Sequence, residues 1–215
     1  MESSADVGKM QDISKRIGIL GGTFNPVHYG HLIAAEAVRE DFRLDRVLFI
    51  PTGIPPHKSM REVIAASHRY AMVECAVASN PFFEASKVET DRSGYSYSID
   101  TLKALKARYA EGTEFYFIIG ADVVPELVTW KEFDRIFEMC SFIALFRPGN
   151  DREAFKRQTD ALKKNYRVNI FTAEAPLIDI SSTGIRERAA AGKTIKYLVP
   201  ACVEKYILDN GLYKD

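Results

Sequence analysis

Four short runs, RIGIL (16–20), RVLFI (46–50), EFYFII (114–119) and SFIALF (141–146), are apolar at almost every position. A strand with one wet face alternates apolar and polar residues. A run without that alternation suits a strand covered on both faces, as in a parallel sheet. VNIF (168–171) reads as a weaker fifth strand, and the alternating FFEASKV (82–88) as a peripheral one. Helix-like segments lie between them: HLIAAEAVRE (31–40), SHRYAMVECAVAS (67–79) and SIDTLKALKARY (98–109), the last with an apolar stripe of Ile99, Leu102, Leu105 and Tyr109. DREAFKRQTDALKKN (151–165) has a mostly solvated surface. Two closing helices are expected to start near Ser182 and Pro200, the proline suiting a first turn. Strands and helices in this order imply right-handed βαβ crossovers. The expected fold class is α/β, a Rossmann-like doubly wound parallel sheet with a small C-terminal helical segment. No repeat or linker divides the chain, so residues 16–215 are expected to form one domain after a loose polar tail at 1–15.

The charge balance narrows the partners. Lys+Arg and Asp+Glu are both 29, giving a formal net charge of zero. There is no basic footprint for nucleic acid and no polybasic membrane patch, so an anionic ligand must be held by a local site. Cys75, Cys140 and Cys202 are odd in number and form no CxxC pair, which disfavours a disulfide framework or a zinc ribbon. All three read as small buried hydrophobes. The opening MESSADVGKMQDISK lacks the apolar core of a signal peptide, and no stretch reaches transmembrane length. A cytoplasmic location is expected.

The chemistry concentrates in GGTFNPVHYGHL (21–32), between the first strand and the first helix. In a doubly wound sheet, ligands bind beyond the carboxyl ends of the strands, where the strand order reverses. Gly21 and Gly22 let the chain turn tightly and bring bare backbone to a ligand. Amides at the start of the following helix favour an anion. The spacing fits neither GxGxxG nor GxxxxGK[ST]. Three readings of His28 and His31 stay open: packing of the loop, a metal pair lacking a third ligand other than His57, or hydrogen-bond donation to a phosphoryl group.

GGTFNPVHYGHL resembles the (H/T)xGH signature of the nucleotidyltransferase α/β-phosphodiesterase-like superfamily, and in its wider context that of the bacterial nicotinate-nucleotide adenylyltransferases. Class I aminoacyl-tRNA synthetases carry a similar box, but no KMSKS-type element occurs in this chain. Later segments are similar to further stretches of the same family, in the same order. They are PTGIPPHK (51–58), YSYSIDTL (95–102), FIIGAD (117–122) with TWKEFDRI (129–136), ISSTGIR (180–186) and YLVPACVEKYILDNGLY (197–213). Ser98 stands where the family commonly has Thr, and Asn25 where Asp is frequent. The likeness spans about residues 16 to 213.

The resemblance implies a reaction in which nicotinate mononucleotide attacks the α-phosphorus of ATP, yielding deamido-NAD and pyrophosphate. It implies that His28, His31, Lys58 and Arg186 serve catalysis, with His31 the main transition-state contact. Gly21, Gly22, Thr23, Phe24, Asp122, Ser181, Ser182 and Thr183 would join His28, His31 and Arg186 in binding ATP. Lys58, Tyr97, Ser98, Thr101 and Trp130 would bind the mononucleotide, with Trp130 stacked on its ring. Mg²⁺ would arrive on the ATP phosphates, since the sequence offers no carboxylate cluster for a dedicated cage. Read by itself, ISSTGIR is a capped helix start with an arginine one turn on. A transferase for phosphopantetheine or for the amidated mononucleotide, and a non-catalytic nucleotide-binding module, are the alternatives. The oligomeric state is left open, a homo-oligomer included.

Overall fold

The computed structural model describes residues 15–55, 63–146, 152–174, 176 and 178–214. Six strands, β1 (Arg16–Gly22), β2 (Arg46–Pro51), β3 (Phe83–Ala85), β4 (Glu114–Gly120), β5 (Ser141–Phe146) and β6 (Ile170–Glu174), form one sheet in the order β3-β2-β1-β4-β5-β6. Every pairing in it is parallel. The helices are α1 (Tyr29–Asp41), α2 (Ala66–Val77), α3 (Ser98–Lys106), α4 (Phe133–Met139), α5 (Arg152–Asn165), α6 (Ser182–Ala190) and α7 (Ala201–Asp209). A 3₁₀ segment, Ala121–Thr129, follows β4 directly. This is the expected doubly wound α/β sheet.

The burial explains why the strand sequences lack alternation. Ile17, Ile19, Leu48, Ile50, Phe117, Phe142 and Ala144 face one side, against Ile99, Leu102 and Leu105 of α3, Ile136 of α4 and Leu162 of α5. Val47, Phe49, Ile118 and Ile143, one residue out of phase, face the other side with Val38 of α1, Met72 of α2 and Val203 of α7. Both parities are apolar because both faces are covered. Edge strand β3 has three half-buried residues, which matches its more polar sequence.

Several boundaries differ from expectation. Helix α1 starts at Tyr29, so His31 lies within its first turn. Helix α3 stops at Lys106, and Tyr109 packs from the following turn, edge-on to Phe115 at 5.6 Å. Pro200 is the residue before α7, as its N-cap. The 3₁₀ segment turns every three residues rather than every 3.6, and α4 is only seven residues long, so α-helical periodicity marks neither. Of the expected tail, only Lys15 is described, and its carbonyl accepts from Glu114 N at 2.8 Å.

The cysteine expectation needs correction. Cys140 is buried, but Cys75 is half-buried and Cys202 exposed. The Cys75 thiol donates to Met72 O at 3.3 Å within α2; burial chiefly, and the neighbouring Cys202 thiol of α7 next, push it up to about 12. Helices are amphipathic, so a small apolar residue on one can fall on the wet face when its neighbours supply the packing. No described helix is long and apolar enough to cross a membrane.

Candidate active site

Strand order reverses between β1 and β4, which pair with each other while their connections depart to opposite sides. A cavity of about 680 Å³ opens there, beyond the carboxyl ends of both strands. Leu20, Gly21 and Gly22 of β1 and Phe117, Ile118, Ile119 and Gly120 of β4 form its floor. Gly21 and Gly22 remain in extended strand; the left-handed residue of the loop is Phe24, at φ 48°. The expected glycine turn is therefore made two positions beyond the pair. Gly21 supplies bareness instead, since a Cβ there would meet nothing within 4 Å, while one at Gly22 would meet the Phe24 ring at 3.4 Å.

The two histidines meet at the start of α1. His28 is its N-cap in extended conformation and His31 its third residue, so the rings fall on one side, stacked at 3.7 Å between centroids with 26° between planes. His28 N donates to His31 Nδ1 at 3.3 Å, which leaves the neutral His31 ring to carry its proton on Nε2. Phe24, buried, braces His31 edge-on at 5.1 Å. A Cβ at Gly30 would sit 3.0 Å from His28 Nδ1, so the residue before His31 must be small for the rings to stack. Both imidazoles line the cavity. Among the described residues no group of three or more His, Cys, Asp or Glu is placed to hold a metal ion.

Helix α6 closes the same wall. Ser181 is its N-cap, its Oγ accepting from Gly184 N at 3.1 Å, while Ser182 donates to Pro26 O at 2.9 Å. The helix itself offers the amides of Ser182 and Thr183 no partner. Both serines line the cavity. Arg186 Nη1 donates to Asn25 O at 3.0 Å and Nη2 to Thr183 Oγ1 at 3.4 Å, which fixes the guanidinium to the loop that carries the histidines. Tyr213 adds a hydrogen bond to Asn25 Oδ1 at 2.9 Å.

The opposite wall is made by Ser96, Ser98, Val123 and Trp130. Trp130 is half-buried, its ring held edge-on by Phe117 at 5.9 Å and Phe142 at 6.3 Å. Ser98 is the first residue of α3, so that helix's free amide end is turned to the cavity. Tyr97, its N-cap, stands off the wall with Lys131 Nζ 4.4 Å from the centre of its ring.

Thr101 departs from expectation. It is 1% exposed and donates to Glu89 Oε1 at 2.7 Å, so its hydroxyl is spent inside the protein. One helical turn from Ser98, its side chain faces the core, which the motif alone does not reveal. Phe24, Asp122, Thr183 and Arg186 likewise stand behind or beside the lining residues, with Asp122 exposed and its carboxylate lying over Gly120. Lys58 and His57 lie outside the described residues.

Two buried charges escaped the sequence reading. Glu89 lines the cavity and is 9% exposed; burial pushes its carboxyl above the usual range, partly opposed by hydrogen bonds from Thr101, Ser96 and the Gly53 amide and by the charge of Arg92. Arg69 is fully buried beneath the loops after β1 and β2. Its signal was available: Arg69 shares the buried face of α2 with Met72, Val73 and Ala76, so a cation interrupts an apolar stripe. Glu89 has no such pattern around it.

A family model described as cytidylyltransferase-like matches residues 19–188. A protein of Thermoanaerobacter sp. (strain X514), named a probable nicotinate-nucleotide adenylyltransferase, is 51% identical over 199 residues, covering 93% of this chain and 94% of that protein. One of Moorella thermoacetica, with the same name, is 46% identical over 199 residues, 93% and 92% of the two chains. Among solved structures, a nicotinic acid mononucleotide adenylyltransferase of Plasmodium falciparum, described as complexed with NaAD, superposes with a TM-score of 0.72 over 93% of this chain and 97% of its own, at 20% identity. That last likeness concerns the fold.

Proposed function

This chain belongs to the cytidylyltransferase-like family and, within it, to the nicotinate-nucleotide adenylyltransferases, and we propose that its cavity joins nicotinate mononucleotide to the adenylyl group of ATP. The observation that carries this reading is the stacked His28–His31 pair at the start of α1, facing a braced tryptophan across a cavity at the switch point.

Both substrates are anions, so the work is alignment and charge neutralisation. A phosphate oxygen of the mononucleotide forms a bond to the α-phosphorus of ATP, and the bond from that phosphorus to the bridging oxygen of pyrophosphate breaks. No enzyme nucleophile is needed. His28 and His31 donate to the triphosphate, with His31 Nε2 the contact that strengthens as charge builds on the transferring group. The amide end of α6, Ser181, Ser182 and Thr183, takes further phosphate oxygens, and Arg186 and Lys58 add cationic charge. Gly21, Gly22, Thr23 and Phe24 shape the nucleotide side, and Asp122 meets the ribose. Mg²⁺ fits this site as an ion carried on the triphosphate, since the donor set is imidazole, amide and hydroxyl, and it would supply charge neutralisation there.

On the opposite wall, Trp130 stacks on the pyridine ring and the Ser98 end of α3 receives its carboxylate, with Tyr97 alongside. A carboxylate satisfies amide and hydroxyl donors; a carboxamide would turn an NH₂ toward some of them and leave them unpaired. Thr101 acts through Glu89 rather than on the substrate. The test is pyrophosphate release from Mg-ATP with nicotinate and nicotinamide mononucleotides compared by kcat/KM. The acid is expected to win; no release with either mononucleotide would sink the reading.

A further inference from the structure

The loops after β1 and β2 run side by side at the cavity rim, where Thr52 N donates to Gly22 O at 2.9 Å. Beneath them lies the fully buried guanidinium of Arg69. Its three nitrogens are divided among three stretches of backbone. Nη1 donates to Thr23 O at 2.8 Å, Nη2 to Gly53 O at 3.1 Å and Nε to Ile64 O at 3.1 Å. Arg69 makes no ion pair among the described residues. Its hydrogen bonds all go to backbone carbonyls, while burial works against its charge and the nearby Tyr213 and Glu89 only partly offset that, so the guanidinium acts on loop backbone rather than on a partner carboxylate.

Peptide geometry gives that action a direction. In a trans peptide unit C=O and N–H point in opposite directions. Drawing Thr23 O and Gly53 O onto one guanidinium therefore turns the amides of Phe24 and Ile54 away from it. The planar fork also fixes the two carbonyls relative to each other, which a single ammonium cannot do. From Gly53 the connection continues: its N–H donates to Ser96 Oγ at 3.0 Å, Ser96 stands beside the Glu89 carboxylate and Thr101 donates to it at 2.7 Å. Gly53 is fitted closely into this path, since a Cβ there would lie 2.5 Å from Glu89 O.

We propose that Arg69 is a positioning residue that sets the ATP-facing loop after β1 and the acceptor-facing segment around Ser96 as one unit, by holding the Thr23 and Gly53 carbonyls on a single buried guanidinium. It rests on the reading of the cavity as an adenylyl-transfer site. Arg69 touches neither substrate; it fixes where two walls stand with respect to each other, the quantity on which in-line transfer depends.

The experiment compares wild type with Arg69→Lys and Arg69→Met, each checked by circular dichroism and assayed well below its Tm. Lysine keeps the charge without the fork, so kcat/KM should fall roughly a hundredfold for both ATP and the mononucleotide in each variant. Wild-type kcat/KM in a folded variant with a lowered Tm would mean a purely stabilising arginine and overturn the proposal. A loss confined to one substrate would also overturn it. Hydrogen exchange on the wild-type protein supplies an arm that needs no variant. The Phe24 and Ile54 amides should open together as one cooperative unit, and independent opening contradicts the proposal. Wild-type pyrophosphate release tests the adenylyl-transfer reading separately, since the exchange result stands whichever way that assay falls.

Discussion

The two walls of the cavity are built by different means. The wall at α1 and α6 comes from two contiguous motifs and is made of helix starts, imidazoles and backbone, with His28 and His31 stacked on each other. The wall at α3 and Trp130 is assembled from scattered residues: a ring wedged between Phe117 and Phe142, and hydroxyls gathered on the buried Glu89 carboxylate. The first handles an anion that every adenylyl donor presents. The second is the wall proposed to take the acceptor, and its groups are set by side-chain packing between neighbouring segments, Thr101 on Glu89 and Trp130 against Phe117 and Phe142. The histidine pair is set by the start of one helix, and the tryptophan wall by rings and hydroxyls brought together from several segments.

Three substitutions bear on that division. The largest effect is expected for His31→Ala, which removes the donor proposed for the transferring phosphoryl group. Its kcat should fall by roughly 10²–10³, while the preference between nicotinate and nicotinamide mononucleotides stays as in the wild type. A changed preference in steady-state competition would mean that the walls are not separable. Trp130→Ala should act the other way, lowering kcat/KM for the acceptor by about 5- to 150-fold, the equivalent of the ~1–3 kcal/mol typical of a base stacked on an aromatic ring. The KM for ATP should hold, and a rise in it comparable to the acceptor's would break the comparison.

The smallest effect concerns pH. Burial raises the Glu89 carboxyl above its unfolded value, so the folded state binds that proton more readily than the unfolded state. The stability it contributes is present below the unfolded pKa, near the ordinary glutamate value, and is lost as pH rises through the folded one. Glu89→Gln removes the ionisation, so wild type should lose ground to this variant as the pH climbs through that window. Urea denaturation of both proteins across the range reads the slope, and a wild type that gains stability relative to Glu89→Gln as pH rises would refute the assignment.

Much of the fold was legible because both parities of the strands are apolar, and a parallel sheet is the arrangement that covers two faces. The histidine wall was legible for a related reason: three-residue spacing on a helix start is decided locally. The other wall was only half legible. Trp130 and Ser98 reach the cavity, but Thr101, one turn along α3, is turned inward to Glu89, and a motif does not say which face of a helix meets a carboxylate from another loop. Gly21 and Gly22 show the same limit from the other side. They were read as a turn, yet strand pairing with β2 keeps them extended and moves the left-handed residue to Phe24.

The contacts that finish the histidine loop reach very far along the chain. Ser182 to Pro26, Arg186 to Asn25 and Tyr213 to Asn25 link residues 156, 161 and 188 positions apart. Closing loops of that size is slow compared with forming a neighbouring helix or pairing β1 with β2. The sheet can therefore stand before the loop at its rim is secured. The histidine loop can be completed only once residues 182, 186 and 213 have been made, so two regions at opposite ends of the sequence share in finishing one wall.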